Sequence, residues 1–193
     1  MINSIKVTGN IVDIKHEFTT KKGTKIYKAT IICPRLSGFS DNLPCYLNEK
    51  MLEGIKENDA VEIVGEVRTK ISERHETYIF AKSVNAYTGD FNIVEIEGNV
   101  CRQPKFRVTP FGRKVTDLCI AVNSESGKSY YIWSLAWSRN AMFAKNLNVG
   151  DKVKIKGRLQ SREYVKHYED GTSEKVTVYE VSASDISEMW NEL

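Results

Sequence analysis

The chain has 193 residues, 41% hydrophobic and 27% charged, with a formal net charge of +3. That is enough for one large or two small cores without staples, and no apolar run nears the roughly 20 residues that cross a bilayer. Met1-Ile-Asn-Ser-Ile lacks a charged-then-apolar leader, so a cytoplasmic protein with no membrane partner is expected. Cys33, Cys45, Cys101 and Cys119 have no C-x-x-C spacing and no nearby His, so reduced buried thiols are expected rather than disulfides or metal ligands.

Charge is unevenly distributed. Val100 to His167 carries fourteen Lys and Arg against four acids, whereas the 26 residues from Tyr168 carry seven acids and one Lys. A basic segment hidden in a near-neutral total points to a polyanion, or to solubility alone.

In chain order, Val7-Thr-Gly-Asn-Ile-Val reads as a first strand, Glu49 to Lys56 as a short helix and Asp59 to Val67 as a later strand. The same signals return. Ile96-Glu-Gly-Asn-Val-Cys repeats the first at an offset of 89, Gly112 and Gly127 repeat Gly23 and Gly38 at that offset, and Asp151 to Leu159 repeats Asp59 to Val67 at 92. In the second unit strands are predicted at Ile93 to Val100, Lys114 to Asn123, Tyr130 to Trp137, Lys152 to Tyr164 and Val176 to Ser182, with turns at Pro110-Phe-Gly and Asp170-Gly. Arg139 to Leu147 reads as a helix between the third and fourth strands. The predicted fold is all-β: two tandem OB-folds, each a five-stranded, partly open Greek-key barrel with one short helix between strands 3 and 4. Residues 1–90 form a divergent unit, 91–187 the second, and 188–193 a short tail.

Ser129 to Trp137, SYYIWSLAW, holds four aromatic residues in nine. As a strand it puts Tyr131, Trp133, Leu135 and Trp137 on one face and Tyr130, Ile132, Ser134 and Ala136 on the other. Either the aromatic face is core, or the core takes Ile132 and Ala136 and leaves Tyr131, Trp133 and Trp137 as a stacking platform. On the fourth strand Arg158, Gln160, Arg162 and Tyr164 share a face opposite Leu159 and Ser161. Guanidinium groups for phosphates beside an aromatic ring suit a single strand of nucleic acid, and a solvated sheet face is the alternative. Arg107, Arg113 and Lys114 flank the turn at Pro110 with Phe106 and Phe111 beside them, a pattern for backbone contact plus stacking, although Phe106 fits a core equally well.

Five segments carry a resemblance: Gly98-Asn, Phe106-Arg-Val-Thr-Pro-Phe-Gly, Leu118-Cys-Ile-Ala-Val-Asn, Trp137-Ser-Arg-Asn-Ala, and Gly150-Asp-Lys-Val-Lys-Ile-Lys-Gly-Arg-Leu-Gln-Ser-Arg-Glu-Tyr. In their order and spacing the second unit resembles the bacterial single-stranded DNA-binding proteins. The resemblance implies that Tyr131, Trp137 and Tyr164 fall on stacking positions, that Trp133 stands where a basic or polar residue is common, and that Arg139 lies in a matching motif. The first unit resembles the family only through its glycines and the Asp59 to Val67 strand. Met51 set against Met142 makes Tyr46 the counterpart of Trp137, and Lys25, Tyr27 and Arg68 complete a weaker basic face there.

No P-loop, H-E-x-x-H or other catalytic constellation is present, so a non-enzymatic protein without cofactor or metal is expected. The leading reading is sequence-independent binding of single-stranded DNA in replication, recombination or repair. The alternatives are a primosomal or RNA-handling factor and a protein-interaction module that has lost DNA affinity. Family members with one OB-fold commonly assemble as four, so a chain with two is expected to pair as a homodimer. The resemblance also implies a tail that recruits replication or repair proteins; here Met189, Trp190 and Leu193 among Glu188 and Glu192 form a reduced version of one, or a short packed helix.

Overall fold

The computed structural model describes residues 1–71, 75–124 and 127–189. The first unit contains β1 (Asn3–Thr19), β2 (Lys25–Pro34), β3 (Ser40–Asn48), β4 (Ala60–Ile71) and β5 (His75–Ala86). The second contains β6 (Asn92–Val100), β7 (Lys105–Val108), β8 (Lys114–Asn123), β9 (Ser129–Trp137), α1 (Ser138–Ala144), β10 (Lys152–His167) and β11 (Ser173–Glu188). The strands form one sheet ordered β2-β3-β5-β4-β1-β6-β10-β11-β9-β8-β7, which curls into a barrel at each end through the extra pairings β1–β2 and β6–β8. Tandem OB-folds are therefore present as expected.

The repeated motifs explain how each barrel closes. At Gly9 and Gly98 a Cβ would run into the carbonyl of Ile32 and of Ala121 on the closing strand, so only glycine lets the backbones meet. The following asparagines secure the loop before the fourth strand: Asn10 Nδ2 donates to the Asn58 carbonyl at 2.8 Å, and Asn99 Nδ2 to the Gly150 carbonyl at 2.9 Å. The cores follow the period-2 pattern: Val94, Ile96 and Val100 on β6 are buried, as are Ile5, Val7 and Ile11 on β1. Each such side chain contributes about 1.5–3 kcal/mol through burial.

Four expectations need adjustment. The short strand β7 is not among the predicted strands, because Lys105-Phe106-Arg107-Val108 alternates over only four residues, all of them exposed. The helix expected over Glu49 to Lys56 is one 3₁₀ turn, Glu49–Leu52, with the Met51 N–H bonded to the Asn48 side chain at 3.2 Å. Gly54, at φ +77°, turns the chain away before an α-helix develops. The helix expected over Arg139 to Leu147 is α1, which begins at Ser138 and ends at Ala144. Finally, β11 runs to Glu188 because its pairing with β10 resumes beyond the bulge at Gly157, reaching Val153 opposite Glu188. Of the tail helix considered over residues 188–193, Glu188 instead ends β11 and the Met189 N–H donates to the Lys152 carbonyl at 2.7 Å, while residues 190–193 lie outside the described residues.

The two barrels join through antiparallel β1 and β6, with Asn3 opposite Ile96, Ile5 opposite Val94 and Val7 opposite Asn92. Ile5 and Val94 are equivalent in the 89-residue repeat, so this register is that of a pseudo-two-fold axis through the pair. The flanks obey the same axis. The Tyr131 N–H donates to Thr69 Oγ1 at 3.1 Å, and the Asn42 N–H donates to Ser161 Oγ at 3.2 Å. On one flank the Arg68 guanidinium sits 5.4 Å from the Tyr130 ring centre; on the other, buried Asp41 accepts from the Ser161 N–H at 2.6 Å and pairs with Arg35.

Candidate nucleic-acid interface

Strand β9 divides its two faces as alternation requires. Ile132, Ser134 and Ala136 are wholly buried and Tyr130 nearly so, while Tyr131 is 37% exposed and Trp133 and Trp137 are half-buried. Leu135, on the aromatic face, is buried. The core thus lies behind Ile132 and Ala136, and the rings of Tyr131, Trp133 and Trp137 reach the surface.

Parallel pairing of β9 with β11 brings Ser134 opposite Val181, and the long β10–β11 hairpin rises beside them. Between hairpin and platform lies a groove of about 550 Å³ lined by Trp133, Leu135, Lys105, Arg162, Tyr164 and Lys166 among others. Arg162 and Tyr164 also meet each other, the guanidinium lying 5.6 Å from the ring centre. Trp133 therefore belongs to the groove. Arg102 stands 5.6 Å over its ring, and Lys145 stands 5.5 Å over that of Phe106.

A second recess, of about 480 Å³, gathers Arg113, Lys114, Arg139 and Met142 at the end of the platform nearest Trp137. The β7–β8 turn supplies the first pair and the start of α1 supplies Arg139. None of the three cations forms an ion pair with another described residue. Phe111, at the tip of that turn, is 91% exposed, and Phe106 is exposed on β7 rather than in the core.

Not every expected contact is open. Gln160 is buried, donating to Glu180 Oε1 at 3.1 Å, so the fourth-strand face is only partly solvent-facing. The same Glu180 holds Arg162 at 3.2 Å, and Asp117 holds Arg107 at 3.1 Å. Arg158 is half-buried, and among the described residues its guanidinium makes a long 3.4 Å contact to Gln160 Oε1. The carboxylates aim the guanidinium groups while leaving donors outward.

In the first barrel the expected equivalence of Tyr46 with Trp137 does not hold. Val115 pairs with Trp137 as Ile26 pairs with Asn48, and the parallel β3–β5 pairing aligns Tyr46 with Leu135. Tyr46 is 6% exposed, its ring 4.7 Å from that of Tyr78, so it is no platform. The residues in place of Tyr131, Trp133 and Trp137 are Asn42, Pro44 and Asn48. Matching residues by sequence around the helix erred because the 3₁₀ turn and α1 differ in length.

Several of the first unit's cations are held by carboxylates. Lys28 pairs with Glu76 at 2.7 Å, Lys25 with Glu49 at 3.6 Å, and both Arg68 and Lys82 with Glu66 at 2.9 and 2.6 Å. The Arg68 guanidinium lies 3.6 Å from the Phe80 ring centre. Tyr27 is half-buried edge-on against His16 at 5.6 Å. Burial opposes ionisation of Glu66, but the Lys82 and Arg68 hydrogen bonds overcome it and hold the carboxyl below its usual range.

Arg102, Lys105, Lys145 and Lys166 were not singled out from the sequence. Lys105 had a signal, two residues before Arg107 in a basic run, and Lys166 had another, continuing the alternation of Arg158 to Tyr164; Arg102 and Lys145 reach their rings only through folding.

The sequence profile of the single-strand binding protein family matches residues 91–189. The chain is 40% identical over 80 residues to the single-stranded DNA-binding protein of Deinococcus radiodurans, covering 37% of this chain and 27% of that one. It is 32% identical over 102 residues to single-stranded DNA-binding protein A of Bacillus subtilis, covering 49% and 57%. The matches thus span from about a quarter to somewhat over half of these relatives' lengths. The crystal structure of the wild-type single-stranded DNA binding protein from Thermus aquaticus superposes with a TM-score of 0.74 at 20% identity, covering all of this chain and 95% of that one, which shows a shared fold.

Proposed function

Because the chain belongs to the single-strand binding protein family, we propose that it binds single-stranded DNA without sequence preference, and without chemistry on the strand, in replication, recombination or repair. The observation that carries this is the groove lined together by Trp133 and Tyr164 with Lys105, Arg162 and Lys166. Rings accept any base by its π-face and cations accept any phosphate, so affinity comes without base readout. The strand runs from this groove along Tyr131 and Trp137 or toward the Arg113, Lys114 and Arg139 recess, where further phosphates find cations. Duplex DNA fits poorly, since its bases are stacked on one another and cannot reach the rings. The second barrel does most of this binding; Asn42, Pro44 and Asn48 give the first barrel no equivalent rings.

Titration of intrinsic fluorescence with oligo-dT tests the reading. Stacking on Trp133 and Trp137 quenches emission saturably, oligo-dA and oligo-dC compete, and affinity falls steeply with salt. Emission unchanged by every oligonucleotide at low salt refutes it. For assembly we propose a homodimer, in which two chains supply four barrels. Relatives' names identify single-stranded DNA-binding proteins, and recruitment of replication or repair proteins is proposed on that likeness alone.

A further inference from the structure

The edge of the aromatic platform holds two thiols that strand pairing sets directly opposite each other. Asn99 pairs with Ala121 and Val100 with Ile120, so the next rung is Cys101 opposite Cys119. The rung is formed: the Cys101 N–H donates to the Cys119 carbonyl at 2.9 Å, and Cys101 Sγ approaches the same oxygen at 3.2 Å. Directly opposed residues on antiparallel strands have Cα atoms about 4.5–5.5 Å apart, inside the range a disulfide spans.

We propose that Cys101 and Cys119 are an intramolecular dithiol–disulfide couple, a redox modification site at the margin of the candidate DNA surface. Cys101, just past the end of β6, is partly exposed, whereas Cys119 is 2% exposed beneath it. Burial, with the hydrogen-bonded Cys101 thiol beside it, pushes the Cys119 thiol up to about 12. Cys101 therefore meets the oxidant and Cys119 resolves the product. With a peroxide, the O–O bond breaks, one oxygen adds to the Cys101 sulfur as a sulfenic acid and the other leaves as water. Cys119 sulfur then attacks, the S–O bond breaks as the S–S bond forms, and the departing hydroxide takes the Cys119 proton as a second water.

The remaining cysteines provide an internal contrast. Cys33 and Cys45 are 2% and 0% exposed in the first barrel, and burial pushes the Cys33 thiol up to about 12 and that of Cys45 higher still. Neither offers an oxidant an exposed sulfur. Selectivity for the second pair thus rests on the exposure of Cys101. The position also bears on the surface, for Cys119 pairs with Trp133 on the next strand and Arg102, which follows Cys101, stands over that ring.

The test treats the folded full chain with hydrogen peroxide, then denatures it and counts thiols. Two of the four thiols are expected to disappear, with one cross-linked peptide joining Cys101 to Cys119, and dithiothreitol restores both. In Cys119→Ser the resolving sulfur is gone, so Cys101 accumulates as a sulfenic acid that dimedone traps; in Cys101→Ser, which keeps its circular dichroism spectrum, all three remaining thiols survive. Loss of Cys33 or Cys45 before Cys101, or oxidation of wild-type Cys101 to sulfinic acid with no cross-linked peptide, overturns the proposal. These readouts need no nucleic acid, so they stand or fall separately from DNA binding.

Discussion

Asn3 and Asn92 make the same two hydrogen bonds in the two barrels. Asn3 donates to the Val67 carbonyl at 2.8 Å and accepts from the Val67 N–H at 2.9 Å, while Asn92 does so with Leu159 at the same two distances. Both asparagines lie in the β1–β6 seam, so each ties the fourth strand of its own barrel to the strand that joins the two. Replacing either with Ala strands one backbone donor and one acceptor, and is expected to cost about 1–3 kcal/mol in urea unfolding. Losses of similar size from Asn3→Ala and Asn92→Ala mark the seam as symmetric in energy as well as geometry; a neutral result at both sites contradicts that.

Trp133→Ala and Trp137→Ala are each expected to lower oligo-dT affinity by about 1–3 kcal/mol, the scale for one base stacked on a ring. Tyr46→Phe, which keeps the buried ring, should leave affinity unchanged. Should either Trp variant melt far below wild type yet bind normally once folded, its ring is packing and not platform.

The double substitution of Arg158 and Arg162 with Gln should weaken binding to all sequences alike. If each arginine neutralises one phosphate, the slope of log affinity against log salt falls by about 1.4. An unchanged slope takes both off the strand's path.

Glu66 gives the fold an acid-sensitive point. Its folded-state ionisation lies below the ordinary carboxylate range, so its contribution is complete above the unfolded value and is lost as pH falls through the folded one. Between about pH 5 and pH 3 the wild type should lose more stability than Glu66→Gln, in which no carboxylate is there to protonate. Urea midpoints measured across that window, with parallel pH profiles for the two proteins, would show that Lys82 and Arg68 contribute nothing through this group.

Light scattering at micromolar concentration should give a mass near twice the 22.0 kDa chain. The β1–β6 seam already pairs two barrels within one chain, so a mass that stays at 22.0 kDa as concentration rises would mean that this internal pairing is the whole assembly.

The sequence by itself determined the duplication, the OB architecture and the aromatic face of β9. These are local or periodic properties: Gly9 and Gly98 are glycine because the backbones meet there, and alternation alone separates Trp133 from Ile132. The basic groups of the β7–β8 turn and of α1 were also legible as cations, though not as neighbours. Only the tertiary structure decided which of them act together. Glu180 reaches Gln160 and Arg162 across the β10–β11 hairpin, and so one expected contact is buried and another is aimed. Strand register, which one residue of loop length can shift, placed Asn48 rather than Tyr46 in the position of Trp137. Cys101 and Cys119 lie 18 residues apart in the chain, and only the closing rung between β6 and β8 sets the two residues opposite each other.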